Sequence, residues 1–153
     1  MTLPSPEDDL AIRQLFAHYY RALDVGDTEG YLDCYTPDAR AYEEGAGGIE
    51  IREGREEIRK LVLRFHERPD FPGHQHHFGN LLYERDPGGE DGCWVVLSYA
   101  MSTITRPGEG TVMHWSGHVR DEVERQEGGC YLFRSKQIMA WSGEVLARFA
   151  NRA

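Results

Sequence analysis

The chain has 153 residues, 40% of them hydrophobic and 11% aromatic, enough apolar material for one packed domain and too much for a disordered segment. Its 17 basic and 26 acidic residues leave a formal charge of −9, without the basic footprint that nucleic acid or an anionic membrane surface selects. No apolar run approaches a transmembrane span, the first residues lack the pattern of a secretory signal, and Cys34, Cys93 and Cys130 are widely spaced and odd in number, so the expectation is a reduced, cytoplasmic protein with no disulfide frame or zinc site.

Residues 8–24 carry Ile12, Leu15, Phe16, Tyr19, Tyr20 and Leu23 at steps of three and four, the apolar stripe of a helix, with Asp8 or Asp9 as cap and Gly26 as stop. Asp27 reads as the cap of a short second helix carrying Tyr31, Leu32 and Tyr35, broken at Thr36-Pro37-Asp38. Residues 39–43 and 49–51 read as short strands around a glycine-rich turn. A third helix opens at Gly54, buries Ile58, Leu61, Val62 and Phe65, and ends before Pro69 and Pro72. Four strands follow, at 75–84, 93–105, 111–124 and 130–141, separated by turns rich in Gly and Pro. Helices followed by a strand meander give an α+β domain spanning 1–153, with a core over about 8–141 and a tail at 142–153 that either lids the domain or packs on a neighbour. A curved sheet covered by helices on one side leaves a pocket or a subunit interface, and a homodimer or homotrimer is expected.

Three of the seven histidines fall within residues 74–77. Imidazole changes charge near neutral pH, so one of them in a cleft is a natural acid–base group. Strand alternation sets His76 and His77 on opposite faces, leaving at most one toward a pocket, and His74 reads as a solvated loop residue. Asp24 lies beside Tyr20 at the edge of the apolar stripe, where a carboxylate could hold a sheet histidine in one tautomer, whereas Asp27 reads as a cap. Arg134 and Lys136, two residues apart, share a face and suit a developing negative charge. Tyr19 and Tyr20 are core aromatics whose hydroxyls can donate at a pocket wall. On the strand at 112–123, Trp115 and Val119 alternate with His114, His118 and Arg120. His74-x-His76 with Glu84 and His114 or His118 resembles a cupin ligand set. A cupin, however, places its Glu sooner after the second His and needs no three leading helices, so no metal is expected.

The runs Tyr20-Arg21-Ala22-Leu23-Asp24-Val25-Gly26-Asp27 and Tyr35-Thr36-Pro37-Asp38-Ala39 resemble the opening of SnoaL-like proteins of the nuclear-transport-factor-2-like superfamily. Glu53-Gly54-Arg55-Glu56-Glu57-Ile58, His76-His77-Phe78-Gly79-Asn80 and Gly128-Gly129-Cys130-Tyr131-Leu132-Phe133 follow in the family's order. The resemblance implies a cone-shaped α+β barrel, three N-terminal helices on a strongly curved antiparallel sheet enclosing a pocket. It also implies a cofactor-independent lyase, isomerase or polyketide cyclase, similar to scytalone dehydratase, hexachlorocyclohexane dehydrochlorinase and bile-acid dehydratase. On that likeness His77 removes a proton from a carbon acid, Asp24 orients it, and Tyr20 or Tyr19 acts as a hydrogen-bonding acid. Lys136 stands near the family's last-strand Arg, with Arg134 two residues earlier. Tyr19, Trp115, Val119, Arg134 and His118 are the residues expected to touch an apolar substrate that carries a hydroxyl or carbonyl. The family also holds non-catalytic ligand carriers and subunits like the dioxygenase β-chain, which is the alternative reading.

Overall fold

The computed structural model describes residues 3–45, 48–86 and 91–140. Helix α1 (Pro6–Val25) starts at Ser5 rather than at Asp8 or Asp9, because the Ser5 Oγ accepts the Asp8 backbone N–H at 3.1 Å. It ends at Gly26 in the left-handed conformation, φ 78°. Asp27 does cap α2 (Thr28–Leu32), its carboxylate accepting the Gly30 N–H at 2.9 Å. Helix α2 stops at Leu32, and Tyr35 opens strand β1 (Tyr35–Gly45) instead of closing the helix. Pro37 is therefore inside a strand, in a stretch where the pairing register slips between Tyr35 and Arg40, so its missing N–H removes no regular ladder bond.

Strand β2 (Gly48–Glu53), helix α3 (Arg55–His66) and a single 3-10 turn (Phe71–Gly73) lead into β3 (His74–Arg85), β4 (Cys93–Arg106), β5 (Gly110–Arg125) and β6 (Tyr131–Ala140). The sheet order is β2-β1-β6-β5-β4-β3. All pairs are antiparallel except β1 with β6, so the sheet is mixed rather than purely antiparallel as expected. Trp141 and the tail at 142–153 lie outside the described residues. Among the described residues no helix is long and apolar enough to cross a membrane.

Three register shifts in the last four strands decide which side chains face inward. In β3 the slip lies between Gly79 and Leu82 and includes Asn80 at φ 56°, a left-handed residue that Asn tolerates well. In β5, Trp115 pairs with Ser102 and Met113 with Thr103, which leaves His114 as the extra residue. In β6, Ser135 pairs with Glu122 and Phe133 with Val123, which leaves Arg134 as the extra residue.

The inner face meets α1 and α3 in an aromatic core. Phe133 sits between Phe16 and Tyr19 at 5.2 and 5.3 Å between ring centres, and both contacts are edge-to-face. The Tyr19, Tyr31 and Tyr35 hydroxyls form a buried chain, spaced at 3.3 and 3.1 Å. Gly117 is set close under the Trp115 ring: a Cβ there would stand 2.1 Å from the Met139 carbonyl oxygen and 2.5 Å from that ring. Gly117→Ala is therefore expected to cost about 1–3 kcal/mol by overpacking. Urea denaturation checks this, and an unchanged midpoint would show that the strands part without penalty.

Candidate active site

Helix α1 and strand β3 run past each other with matched periods. One step of four along a helix advances about 6 Å, and one step of two along a strand advances about 6.6 Å. Phe16, Tyr20 and Asp24 therefore meet Phe78 and His76 in alternation. Phe16 stacks on Phe78 at 5.3 Å, Phe78 on Tyr20 at 5.1 Å, and Tyr20 on His76 at 5.9 Å. Asp24 closes the column. Its Oδ1 lies 2.6 Å from His76 Nδ1 and its Oδ2 accepts the His76 backbone N–H at 2.9 Å. One carboxylate thus holds both the main chain and the ring of His76.

His76 lines a cavity of about 250 Å³ bounded by α1, α3 and the inner sheet face, and Asp24 stands behind it, outside the lining. With Nδ1 engaged, Nε2 is the available ring nitrogen; it has no hydrogen-bond partner among the described residues. The walls are mostly apolar: Leu23, Leu61, Val62, Phe65, Trp115 and Ile138, with Ala100 and Val119. Tyr20 is buried and also lines the cavity. Burial, and then the nearby Asp121 carboxylate, hold its phenol well above the usual tyrosine range, so at neutral pH it stays protonated and can donate. Tyr19 lines the same cavity, but its hydroxyl is tied to Tyr31.

The histidine that meets Asp24 is His76, not the expected His77. His76 has the parity of Phe78, which packs into the core, while His77 points to the outer face, into a shallow groove with Tyr99, Met101 and Ser116. The parity that His76 shares with the apolar Phe78 marks the inward face in the sequence itself. Trp115 and Val119 line the cavity, as expected. His118 does not: it lies on the outer face with its ring 5.1 Å from Tyr99. Arg134 and Lys136 do not share a face either, since the extra residue in β6 separates them. Arg134 turns outward to pair with Asp86 and Glu122. Lys136 turns inward but not into the cavity. It is 1% exposed, its Nζ bonded to the directly paired Asp121 at 2.9 Å and set over the Tyr19 and Phe133 rings at 4.3 and 4.4 Å. Neither basic candidate lines the cavity: Arg134 is paired on the outer face and Lys136 is enclosed in the core.

The cavity lining also takes in residues that the sequence pattern does not mark as pocket residues, Glu43, Arg68, His74, Ser102 and His114 among them. His74 is buried rather than solvated, His114 reaches the inner side through its bulge, and Ser102 lies opposite His76 across the β3–β4 pair. Among the described residues no three His, Cys, Asp or Glu side chains gather as a metal-ligand set, so the cupin-like grouping of His74, His76, Glu84 and His114 or His118 is not assembled.

Residues 4–136 match the model of the SnoaL-like domain. A search of curated proteins gives no match. Among solved structures, an NTF2-like protein with a cystatin-like fold from Novosphingobium aromaticivorans is 20% identical with a TM-score of 0.78, over 96% of this chain and 90% of that one. Aln2 from a Streptomyces species is 24% identical with a TM-score of 0.75, over 97% and 99%. A protein from Catenulispora acidiphila, solved in complex with S-DNPA, is 28% identical with a TM-score of 0.71, over 90% and 96%. These likenesses support the cone-like α+β architecture, and the extent of the domain match decides membership: the chain belongs to the SnoaL-like domain family.

Proposed function

We propose that the protein is a lyase, isomerase or cyclase that removes a proton from a carbon next to a carbonyl in an apolar, ring-bearing small molecule, with His76 as the base. The observation that carries this reading is the two-point grip of Asp24 on His76. It commits Nδ1–H to a carboxylate, leaves the Nε2 lone pair for the cavity, and offers a counter-charge for the imidazolium that forms. The Tyr20 hydroxyl, stacked beside His76, donates a hydrogen bond to the enolate oxygen. From that enolate the three reaction types diverge. The proton returns at another carbon in an isomerisation, a neighbouring leaving group departs in an elimination, and in a cyclisation the carbon attacks a second carbonyl. Enclosure by apolar walls strengthens each of these electrostatic contacts.

The test is proton exchange in deuterated water on a panel of bicyclic ketones, with binding followed in parallel by tryptophan fluorescence. Ketones that bind are expected to take up deuterium beside the carbonyl faster than in buffer. Ketones that bind and never exchange faster than in buffer would instead indicate a ligand-binding module.

A further inference from the structure

Of the described polar groups lining the cavity that the proton transfer leaves unused, among them Glu43, Arg68 and Ser102, His74 is the one whose ring nitrogens are buried without a partner. The His74 side chain is 1% exposed, lines the cavity, and has no hydrogen-bond partner at either ring nitrogen. Its neighbours do not satisfy it. Phe65 of α3 and His114 of β5 meet its ring edge-to-face at 5.3 and 4.8 Å between centres. The Asp70 carboxylate is 3.6 Å from Nε2, beyond hydrogen-bond length, and is held from the other side by Arg68 at 2.9 and 3.0 Å. A buried polar group left without a partner forfeits the hydrogen bonds it made to water, and natural proteins rarely leave one unanswered.

We infer that His74, with His114 at the cavity mouth, is a binding station for a hydroxyl group of the substrate. A neutral imidazole carries one donor and one acceptor, and a hydroxyl is the small group that answers both. Burial, working against the nearby Asp70 carboxylate, lowers the His74 pKa and keeps the ring neutral for that role. His74 and His76 share a strand face two residues apart, so their Cα atoms are about 6.6 Å from each other and both rings reach the same cavity. Phe65, 5.3 Å from the His74 ring and 5.7 Å from the His76 ring between centres, and Trp115 line the same cavity. The ligand that fits carries a free hydroxyl able both to donate to and to accept from the His74 ring. The proposal rests on the cavity being the substrate site proposed above, and makes His74 a residue that sets specificity rather than one that transfers the proton.

The probes are a naphthalenediol with its hydroxyls on opposite rings and the monomethyl ether of the same compound, titrated against tryptophan fluorescence or by calorimetry. Wild type is expected to bind the diol about 3- to 10-fold more tightly than the ether, after allowance for the diol's symmetry, the worth of one net hydrogen bond. His74→Phe should lose the preference while binding both compounds, and His74→Gln, which retains a donor and an acceptor, should keep it. His114→Ala, at an exposed position that tolerates change, should reduce it. No preference in wild type, a preference that survives His74→Phe, or failure of either compound to bind would each overturn the proposal. Because the readout is binding, a wild type that prefers the diol but catalyses no proton exchange would sink the proton-transfer reading and leave this one standing.

Discussion

Lys136→Met is expected to cost the fold about 3–5 kcal/mol at pH 8, because it strands the Asp121 carboxylate in the core without its counter-charge. Asp121 is completely buried, and its Oδ2 has no hydrogen-bond partner even in the wild type, so the Lys136 ammonium is what offsets its desolvation. Burial already raises the Asp121 carboxyl from 3.8 to about 6, although Lys136 pulls it down. The sign of the pH dependence follows. A carboxyl with a raised folded-state pKa binds its proton more tightly in the native protein, so its contribution to stability is complete below pH 3.8 and is lost as pH rises through about 6. Removing Lys136 raises that pKa further, so the penalty should be largest at pH 8 and shrink toward pH 5, where the stranded carboxyl takes up a proton. The double variant Asp121→Leu with Lys136→Met should recover most of the loss, since it removes both desolvation costs. Denaturant titrations at the two pH values read all three. A Lys136→Met protein as stable as wild type at pH 8 would mean the pair contributes nothing to the core.

The second large effect is on chemistry. Asp24→Asn should lower the rate of proton exchange by about 10²–10⁴-fold while leaving the fold in place. Asp24 receives two different hydrogen bonds, from the His76 backbone N–H and from the ring Nδ1. An asparagine offers only one oxygen, and the backbone N–H, which is always a donor, claims it. The amide NH₂ then faces Nδ1 and makes it an acceptor, which moves the ring proton to Nε2 and removes the lone pair from the cavity. The loss is thus one of tautomer rather than of charge alone, and Asp24→Glu, with an extra methylene, should restore part of the rate. Undiminished exchange in Asp24→Asn would show that the carboxylate does not set the ring's protonation.

The helices and long strands were legible because their periods are strong over ten residues or more: α1 buries the stripe read from the sequence, from Ile12 to Tyr20, and α3 buries Ile58 and Val62. Helix α2 was overextended since Tyr35 continues a helical spacing locally, whereas parallel pairing with β6 draws it into a strand. The site was half legible. Asp24, Tyr20, Trp115 and Val119 lie where the sequence suggests, because each is set by an uninterrupted period. His77, Lys136, Arg134 and His118 do not. For His77 the family likeness and the strand pattern point to different residues, since the parity of Phe78 selects His76. For the two basic residues the obstacle is physical: one extra residue at a bulge inverts every facing beyond it, and nothing in Phe133-Arg134-Ser135 announces the insertion. The same device brings His114 inward beside Trp115.

The most direct test of the central claim compares His76→Ala with His77→Ala in deuterium uptake by a bicyclic ketone that the wild type exchanges. The two residues are adjacent, chemically identical, and divided only by the face of one strand. His76→Ala is expected to lose about 10²–10⁴-fold in exchange rate. His77→Ala, altered only in the outer groove, should stay within about twofold of wild type, as surface substitutions generally do. Loss of exchange in His77→Ala with retention in His76→Ala would contradict the assignment of the base and the pairing of α1 with β3 from which it is drawn.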